Sequence, residues 1–189
     1  MRVVGGRLRG RALKGPSSQA IRPTSDRLRE ALFNILAHSY DDAVAGARVV
    51  DLFAGAGGLG LEAISRGAKL ALFVDDGSEA RALLRENIEA LGLGGETRIF
   101  RRDATKLGAM PPQEPFTLAF LDPPYNQGLA PRALVSLRDG GWLAPDALCL
   151  VEEAASAAFD WPEGYDPIET RDYGDTSVRF GRRKPSQAP

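Results

Sequence analysis

A repeated pairing of apolar runs with aspartates places the strongest constraint on how this chain can fold. Strands predicted near residues 48–53, 69–74, 97–101, 116–121 and 147–152 alternate with helices predicted near 59–66, 78–91 and 130–138. This alternation is typical of a doubly wound, mostly parallel α/β sheet, in which ligands lie at the carboxyl ends of the strands. Apolar strand segments lead into four aspartates, Asp51, Asp75, Asp103 and Asp122. The pattern therefore predicts four separate carboxylates around one crevice.

The first of these strands leads into a glycine-rich segment, Ala54–Gly60. Gly55, Gly57 and Gly60 fit the G-x-G-x-x-G pattern between a strand and a helix. Asp75, 20 residues beyond Gly55, stands where a carboxylate would meet ribose hydroxyls. Taken alone, this pattern indicates a dinucleotide site and leaves a nicotinamide-dependent oxidoreductase open.

Two features favour S-adenosylmethionine over a dinucleotide. Asp51 precedes the glycines, where it would crowd a pyrophosphate but could meet a cationic methionyl group directly or through water. The second feature is the segment Asp122–Tyr125, which hydride transfer does not need. Asp103, after the third strand, could accept a hydrogen bond from an adenine amino group. A solvated turn aspartate is the alternative for both Asp75 and Asp103.

The segment Asp122-Pro123-Pro124-Tyr125 supplies the groups that hold a planar base amine. The side chain of Asp122 and the backbone carbonyl of Pro123 can both accept hydrogen bonds from an amino group. The fixed φ of the two prolines limits the movement of these acceptors. Tyr125 can stack on the face of the base. A proline-rich turn at the end of a strand is the alternative.

Over nearly its whole length the chain resembles the bacterial RsmD-type 16S rRNA (guanine-N2)-methyltransferases. Besides the two segments above, the matching pieces are Gly5-Gly6, Arg9-Gly10-Arg11, Arg22-Pro23-Thr24, Asp26-Arg27, Arg29-Glu30, Phe33-Asn34, Glu62-Ala63, Ser65-Arg66-Gly67-Ala68, Asn87 and Tyr173-Gly174. Arg22-Pro23-Thr24 is more specific than the glycines, which many unrelated methyltransferases share. The resemblance implies a seven-stranded, Rossmann-like class I methyltransferase sheet with an antiparallel C-terminal strand pair and a small N-terminal hairpin extension.

The resemblance also implies which residues form the site. The expected cofactor-binding residues are Asp51, Phe53, Gly55, Gly57, Gly60, Asp75, Asp76, Asp103, Ala104 and Asp122. The expected catalytic residues are Asp122, Pro123 and Tyr125. The expected substrate-binding residues are Arg7, Arg9, Arg11, Arg22, Pro23, Thr24, Asn34 and Tyr125. The family usually has Glu at the ribose position and a polar residue two places later; this chain has Asp75 and Gly77, so Asp76 is expected to assist.

The reaction implied by the resemblance is methyl transfer from S-adenosylmethionine to the exocyclic N2 amine of a guanine in 16S rRNA, giving S-adenosylhomocysteine. In-line transfer needs no covalent enzyme intermediate, so the protein would align the reactants and exclude water. The guanine must leave its stack to reach the pocket. Besides the oxidoreductase, an adenine-N6 methyltransferase acting on DNA or RNA and a non-catalytic RNA-binding protein remain alternatives. The modified guanine and the substrate form, naked rRNA or small-subunit particle, stay open.

Charge is distributed unevenly along the chain, although the formal net charge is −1. Residues 1–30 contain eight arginine or lysine side chains and two carboxylates, a net charge of +6. Such a segment attracts phosphate, and a solvated arm is the alternative. A smaller basic cluster, Arg182-Arg183-Lys184, lies near the other end. We expect residues 1–23 to form a basic hairpin or arm that contacts RNA, 24–183 the methyltransferase domain and 184–189 a flexible tail.

Local patterns refine the two ends of the domain. Thr24 or Ser25 can cap a helix whose predicted apolar face is Leu28, Leu32, Ile35 and Leu36. We expect this helix to pack on the sheet rather than to contact RNA, although Arg27 and Arg29 can point elsewhere. The segment Glu169–Phe180 predicts two strands about a turn.

Several classes of function are disfavoured by composition. Cys149 is the only cysteine and His38 the only histidine, which argues against a zinc site, a catalytic thiol and Ser-His-Asp catalysis. No signal peptide or membrane-length apolar stretch is evident, so the cytoplasm is the expected compartment. No metal is expected, and the resemblance implies a monomer.

Overall fold

The computed structural model describes residues 1–17 and 24–185 of the chain. Within these residues the helices are Asp26–Ser39 (α1), Gly58–Ser65 (α2), Ser78–Leu91 (α3) and Leu129–Asp139 (α4). The strands are Arg48–Leu52 (β1), Leu70–Val74 (β2), Thr97–Phe100 (β3), Phe116–Leu121 (β4), Leu143–Ala154 (β5), Tyr165–Tyr173 (β6) and Thr176–Arg183 (β7). None of the helices in these residues combines the length and apolarity that a membrane crossing requires.

The strands form one sheet in the order β3-β2-β1-β4-β5-β7-β6. The first five are parallel, whereas β7 runs antiparallel to both β5 and β6. The predicted doubly wound sheet with an antiparallel C-terminal pair is thereby confirmed. The chain proceeds from β1 to β2 and β3 on one side and returns to β4 and β5 on the other. Ligands bind at the point where the strand order reverses. In this sheet the reversal lies between β1 and β4.

Strand lengths differ from the prediction towards the C-terminus. The predicted strand near 147 begins at Leu143, which pairs with Phe116 across a register shift. Pro145 and Asp146 are exposed within this strand, and they interrupt the apolar pattern on which the prediction depended. The antiparallel pair is also longer than predicted, and Gly174, with a φ of 62°, lies in its turn.

Two apolar cores cover the two faces of the sheet. One packs α1, α2 and α3 against inward-facing strand residues such as Phe73 and Phe120. The other packs α4 and Trp142 against the alternate residues, including Cys149. Burial raises the pKa of the Cys149 thiol to about 12, so this side chain packs as a neutral group, as its surroundings in the sequence predict.

The buried face of helix α1 is shifted by about one residue from the predicted apolar face. Ser25 caps it, because its hydroxyl accepts a hydrogen bond of 3.1 Å from the backbone N–H of Leu28. The buried side chains are Arg29, Leu32, Phe33 and Leu36, whereas Leu28 and Ile35 are only partly buried. The prediction that Arg29 points away from the core is wrong, since its guanidinium group lies in a buried ion network with Glu62.

The N-terminal residues turn back on themselves around a 3₁₀ turn, Gly6–Leu8. An isolated antiparallel bridge joins Arg2 and Ala12, in place of the longer ladder of a two-stranded hairpin. Backbone hydrogen bonds from Val3 to Arg11 and from Leu13 to Met1, both 2.9 Å, close the segment. Residues 18–23, which complete the predicted arm, lie outside the described residues.

Candidate active site

A cavity of about 450 Å³ lies at the carboxyl ends of the parallel strands, where β1 adjoins β4. The volume suits a small organic ligand. The predicted site residues that line it are Thr24, Asp51, Phe53, Gly55, Asp75, Asp76, Asp122, Pro123 and Tyr125. Three of the four strand-end aspartates therefore meet at one crevice, whereas the alternating pattern predicts all four there.

Two of the predicted glycines shape the loop instead of lining the cavity. Gly57 has a φ of 90° and is the N-cap of α2, a left-handed conformation that glycine adopts without strain. At Gly60 the constraint is space, because a Cβ atom there would lie 2.3 Å from Cε1 of Phe73. The backbone N–H of Gly60 is thus able to approach Asp51 closely.

Asp51 is the most deeply buried acidic group of the cavity, with a residual exposure of 1%. Within the described residues its carboxylate accepts one hydrogen bond, of 3.0 Å, from the backbone N–H of Gly60. Burial, reinforced by the charge of Asp75, raises the pKa of Asp51 to about 8 despite the opposing effect of that hydrogen bond. A cationic group in the cavity would favour the carboxylate form, so this site suits a positively charged ligand group.

Asp75 joins the glycine-rich loop to the loop before α3. Its two carboxylate oxygens accept hydrogen bonds from the backbone N–H of Gly55 at 2.9 Å and of Gly77 at 2.8 Å. Each carboxylate oxygen can accept a further hydrogen bond, so Asp75 keeps capacity for ligand hydroxyl groups. The exposed Asp76 lines the cavity beside it.

Asp103 and Ala104 are not among the residues that line the cavity. Asp103 is exposed and accepts hydrogen bonds from the hydroxyl and backbone N–H of Thr105, at 2.7 and 2.8 Å. These bonds lower the pKa of Asp103. Ala104 is buried in the core that packs against α4. Both residues follow β3, which is the edge strand of the sheet, and the turn after β3 is closed by hydrogen bonds to the carboxylate of Asp103 itself. The structure therefore does not bring Asp103 and Ala104 to the crevice.

The predicted amine site lies directly after β4. Asp122 is half-buried, Pro123 is buried, and the hydroxyl of Thr24 lies 3.1 Å from Oδ2 of Asp122. Burial raises the pKa of Asp122 well above its usual range, and the carboxyl group of Glu152 raises it further. The segment is also held at its far end, since Glu153 accepts a hydrogen bond of 3.0 Å from the backbone N–H of Asn126.

Tyr125 is positioned through its hydroxyl group. The hydroxyl donates to Oε1 of Glu152 at 2.9 Å and lies 2.9 Å from the hydroxyl of Thr176. Burial raises the pKa of the Tyr125 hydroxyl, so it remains a hydrogen-bond donor at neutral pH. Tyr125 lines the cavity together with Asp122, and its role as a stacking residue stays a prediction.

The sequence reasoning missed Glu152. This residue lies near the end of β5, lines the cavity and is 7% exposed. It follows the apolar run Ala147–Val151, so the same pattern that identified the aspartates could have identified it. Glu152 is a glutamate in the position that the other strands fill with an aspartate.

The N-terminal segment is packed against the domain through buried polar groups. Glu62 accepts hydrogen bonds of 2.9 Å from the backbone N–H groups of both Val4 and Gly5. Asn87 binds both the N–H and the C=O of Lys14, and its amide also donates to the carbonyl of Ala56 in the glycine-rich loop. The first residues thereby form part of the cavity wall, to which Met1 and Pro16 contribute.

The predicted RNA-binding residues separate into distinct groups. Arg7 pairs with Glu96 at 2.8 Å, and Arg11 donates to the carbonyl of Ala90 at 2.7 Å. The exposed side chain of Arg9 makes no hydrogen bond or ion pair within the described part of the chain. Asn34 is exposed on α1 and is not among the cavity-lining residues, while Arg22 and Pro23 lie outside the described residues. Across residues 1–17 and 24–185, no cluster of three or more His, Cys, Asp or Glu is placed to hold a metal ion.

Comparison with known proteins adds independent observations. A family model described as Conserved hypothetical protein 95 matches residues 1–182. Ribosomal RNA small subunit methyltransferase D of Escherichia coli K12 is 40% identical over 152 residues, covering 80% of this chain and 74% of that relative. The protein of the same name from Haemophilus influenzae is 33% identical over 182 residues, covering 95% of this chain and 92% of that relative.

A solved structure shows the same architecture. An Escherichia coli protein described as a candidate methyltransferase is 32% identical and superposes with a TM-score of 0.83. The match covers 98% of this chain and 99% of that one. The methyltransferase descriptions favour S-adenosylmethionine over a nicotinamide dinucleotide as the ligand of a glycine-rich loop in such a fold.

Proposed function

The chain belongs to the family described as Conserved hypothetical protein 95, and from this membership we propose that it is an S-adenosylmethionine-dependent rRNA methyltransferase. Its proposed product is N2-methylguanosine in the 16S rRNA of the small ribosomal subunit, with S-adenosylhomocysteine released. The names of the Escherichia coli and Haemophilus influenzae relatives support small-subunit rRNA as the substrate class.

One observation carries this proposal. The amine-site segment Asp122–Tyr125 lines the same cavity as Asp51, Gly55 and Asp75. A cofactor bound on the glycine-rich loop and a base held after β4 would therefore share one cavity. Proximity of donor and acceptor is the main requirement for direct transfer, because no covalent enzyme intermediate is needed.

The residues on the cofactor side fit S-adenosylmethionine. Asp51 is buried and accepts one backbone hydrogen bond within the described residues, which matches the cationic amino group of a methionyl end. Asp75 has further acceptor capacity for ribose hydroxyls, as described above. When bound, S-adenosylmethionine supplies an electrophilic methyl group.

The residues on the base side orient and polarise the amine. The lone pair of an exocyclic amine is delocalised into the base, and acceptors aimed at its protons favour the pyramidal form that can react. Asp122 and the carbonyl of Pro123 can supply these acceptors. Tyr125, fixed by Glu152 and Thr176, can stack on the base, an interaction worth roughly 1–3 kcal/mol. Asp122 is an orienting group rather than a strong base, because a carboxylate is a far weaker base than the nitrogen anion that deprotonation of the neutral amine would leave.

RNA contact is proposed for the basic N-terminal residues, with Arg9 as the described residue best placed to meet a phosphate. The assignment of residues 1–23 as an RNA-contacting unit stays a prediction, as do the remaining site assignments, the monomeric state and the cytoplasmic location. Arg22 and Pro23 stay in the proposed substrate site on the basis of the family resemblance alone.

The test is methyl transfer from labelled S-adenosylmethionine to small ribosomal subunits that lack the modification. Naked 16S rRNA and DNA are assayed in parallel, and the products are digested to nucleosides. N2-methylguanosine from the RNA is expected, and the ratio between particle and naked rRNA identifies the substrate form. N6-methyladenine would instead establish the adenine-N6 alternative, since the motif binds an amino group whichever base carries it.

A variant in the amine site provides the matched control. Asp122→Ala should lower the rate of transfer by about 10²- to 10³-fold, because it removes an acceptor at the reacting group. Its affinity for S-adenosylmethionine, measured by calorimetry, should change little. Loss of cofactor affinity at an unchanged transfer rate at saturation would show that Asp122 belongs to the cofactor side.

A further inference from the structure

A pair of carboxyl groups lies at the base of the proposed amine site. Asp122 follows β4, and Glu152 lies on the neighbouring strand β5, where Leu121 pairs with Val151. The hydroxyl oxygen of Thr24 is 3.1 Å from Oδ2 of Asp122 and 2.9 Å from Oε2 of Glu152. The carboxyl group of Glu152 also raises the pKa of Asp122. Both groups thus face one hydroxyl.

This arrangement requires a proton on the pair. Two ionised carboxylates can only accept hydrogen bonds, so neither could donate to the hydroxyl of Thr24 that lies between them. The hydroxyl of Thr24 carries a single proton and can donate to one carboxyl oxygen, so the other must donate to it or turn away. The raised pKa of Asp122, caused by burial and by the neighbouring carboxyl group, agrees with a proton retained by the pair.

The surrounding donors are compatible with a position of that proton on Glu152. Oε1 of Glu152 accepts from the hydroxyl of Tyr125, which in turn lies beside the hydroxyl of Thr176. With the proton on Oε2 of Glu152, every hydrogen bond of the chain can run in one direction. The hydroxyl of Thr176 donates to Tyr125, and Tyr125 donates to Glu152. Glu152 then donates to Thr24, and Thr24 donates to Asp122. Asp122 then ends the chain as the ionised acceptor, the form that an amine requires.

We propose that Glu152 is a positioning residue for methyl transfer: it keeps the shared proton and donates it in a hydrogen bond to Thr24, whose own hydroxyl donates to Asp122 and holds it ionised and aimed at the substrate amine. This inference rests on the proposed function. It adds Glu152 and Thr24 to the machinery of the amine site and assigns Thr24 to the positioning of Asp122, beyond its predicted contact with substrate.

The proton balance of the reaction is closed without consuming the proton on Glu152. The amine nitrogen forms its bond to the methyl carbon with its own lone pair, while sulfur keeps the electron pair of the broken bond. Nitrogen then loses a proton to Asp122, and from there the proton passes to water. Glu152 ends the cycle in the state in which it began.

Several charged or titratable groups surround the pair and act on its protonation. Asp51 on β1 raises the pKa of Asp122 further, and Tyr125 contacts Glu152. Arg29 of α1 lines the same cavity, with its guanidinium bound to Glu62 and Asp26. Glu153 is directed to the backbone N–H groups of Asn126 and Ala154. The variants below leave all of these groups unchanged.

The deciding experiment compares Glu152→Gln with Glu152→Ala in transfer from S-adenosylmethionine to unmodified small subunits. Glutamine reproduces a neutral carboxylic acid, because its amide can donate towards Thr24 and Asp122 and accept from Tyr125. We expect kcat of Glu152→Gln to remain within about threefold of the parent and that of Glu152→Ala to fall about 10²-fold. The affinity for S-adenosylmethionine and the melting temperature of the glutamine variant should match the parent.

The same assay on Thr24 supplies a second, independent pair. Thr24→Ser keeps the hydroxyl and should retain kcat, whereas Thr24→Val removes it at equal volume and should lower kcat while leaving cofactor affinity intact. If Glu152→Gln loses as much kcat as Glu152→Ala, Glu152 acts as a charged carboxylate and the proposal is overturned. Failure of the proposed function would be distinguishable, because the parent protein itself would then give no N2-methylguanosine.

Discussion

Two buried carboxylates of this protein are stabilised in opposite ways. Glu62 in α2 receives hydrogen bonds from the backbone of Val4 and Gly5 and forms ion pairs with Arg29 at 3.1 Å and Arg66 at 3.0 Å. Asp51 in β1 accepts, within the described residues, a single backbone hydrogen bond. Both groups are almost completely removed from water.

The difference separates a carboxyl group whose hydrogen-bond and ion-pair partners all come from the fold from one whose partner would come from a ligand. Around Glu62 every donor comes from the fold, so the cost of burying the charge is offset once the N-terminal segment has docked. Around Asp51 the fold leaves the carboxyl group under-solvated, and its pKa rises to about 8. Buried groups with such shifts beside a cavity mark functional sites, whereas fully paired groups support structure.

The largest expected effect is on stability, from Glu62→Ala. This change leaves the fully buried Arg29 without its buried carboxylate partner and removes the acceptor for two backbone N–H groups of the N-terminal segment. Breaking one side of a buried ion pair costs about 3–5 kcal/mol. Urea denaturation should show this loss in the free energy of unfolding.

The control for Glu62 is the exposed pair of Arg7 and Glu96. Glu96→Ala should change the free energy of unfolding by less than about 1 kcal/mol, because solvent screens exposed ion pairs. Equal effects of Glu62→Ala and Glu96→Ala would mean that the buried network does not hold the N-terminal segment.

The second prediction concerns binding, with Asp51→Asn as the change. The variant keeps the shape of the side chain but loses the charge that we assign to the methionyl amino group. A charged hydrogen bond is worth about 1.5–3 kcal/mol, so the Kd for S-adenosylmethionine should rise about 10- to 100-fold. Isothermal titration calorimetry would measure it, with Asp160→Asn, at an exposed aspartate that does not line the cavity, as the matched control that should leave the Kd unchanged.

The same Asp51→Asn variant should also alter how the stability of the ligand-free protein depends on pH. Asp51 binds its proton with a pKa of about 8 when folded and of 3.8 as an unperturbed group. Its stabilising contribution is therefore present below pH 4 and is lost as the pH rises towards 8, at up to about 1.4 kcal/mol per pH unit. When the free energy of unfolding is measured by denaturation at several pH values between 5 and 8, it should depend less steeply on pH in the variant than in the parent. A slope identical to that of the parent would show that Asp51 is ionised throughout.

Local patterns predicted the framework of the protein well. The bounds of α3 were predicted as found, and the parallel strands up to β4 lie within one residue of their predicted positions. Such segments are determined by short-range periodicity and by the glycines and prolines that flank them. The position of Asp122 at a strand end followed from the same patterns, because the carboxyl ends of parallel strands meet at one edge.

Residues whose roles depend on distant partners could not be predicted in this way. The burial of Arg29 follows from Glu62, 33 residues away, and the role of Thr24 follows from Glu152, 128 residues away. Asp103 shows the limit of the strand-end rule, since the rule does not distinguish an edge strand from the central strands that border the cavity. Glu152 was predictable in principle, because it obeys the rule with a different carboxylate.

The third prediction tests the close packing that brings the glycine-rich loop to Asp51. Gly60→Ala would place a Cβ 2.3 Å from the ring of Phe73 and 3.1 Å from Oδ2 of Asp51. Overpacking of this kind costs about 1–3 kcal/mol in the free energy of unfolding, and the displaced loop should weaken cofactor binding. Gly94→Ala is the control, because no atom lies within 4 Å of its added Cβ. Equal stability of the two variants would show that the loop adjusts without strain.

The smallest expected effect separates the arginines of the N-terminal segment. Arg7 is already paired with Glu96, so a phosphate must displace that carboxylate, whereas the side chain of Arg9 is exposed and makes no ion pair within the described residues. Removing one arginine that neutralises a phosphate changes the slope of log K against log salt concentration by about 0.7 to 0.9. Arg9→Ala should therefore flatten the salt dependence of binding to small subunits by about this amount, and Arg7→Ala by less.

Binding curves at several salt concentrations would measure both slopes, with unfolding free energies as the check on structure. Arg7→Ala should cost less than about 1 kcal/mol of stability, because its ion pair is exposed. Combining Arg7, Arg9 and Arg11 substitutions should weaken RNA binding further at low salt. If the triple variant keeps the salt dependence of the parent, this segment is only a wall of the cavity, and the contacts to RNA come from another basic surface.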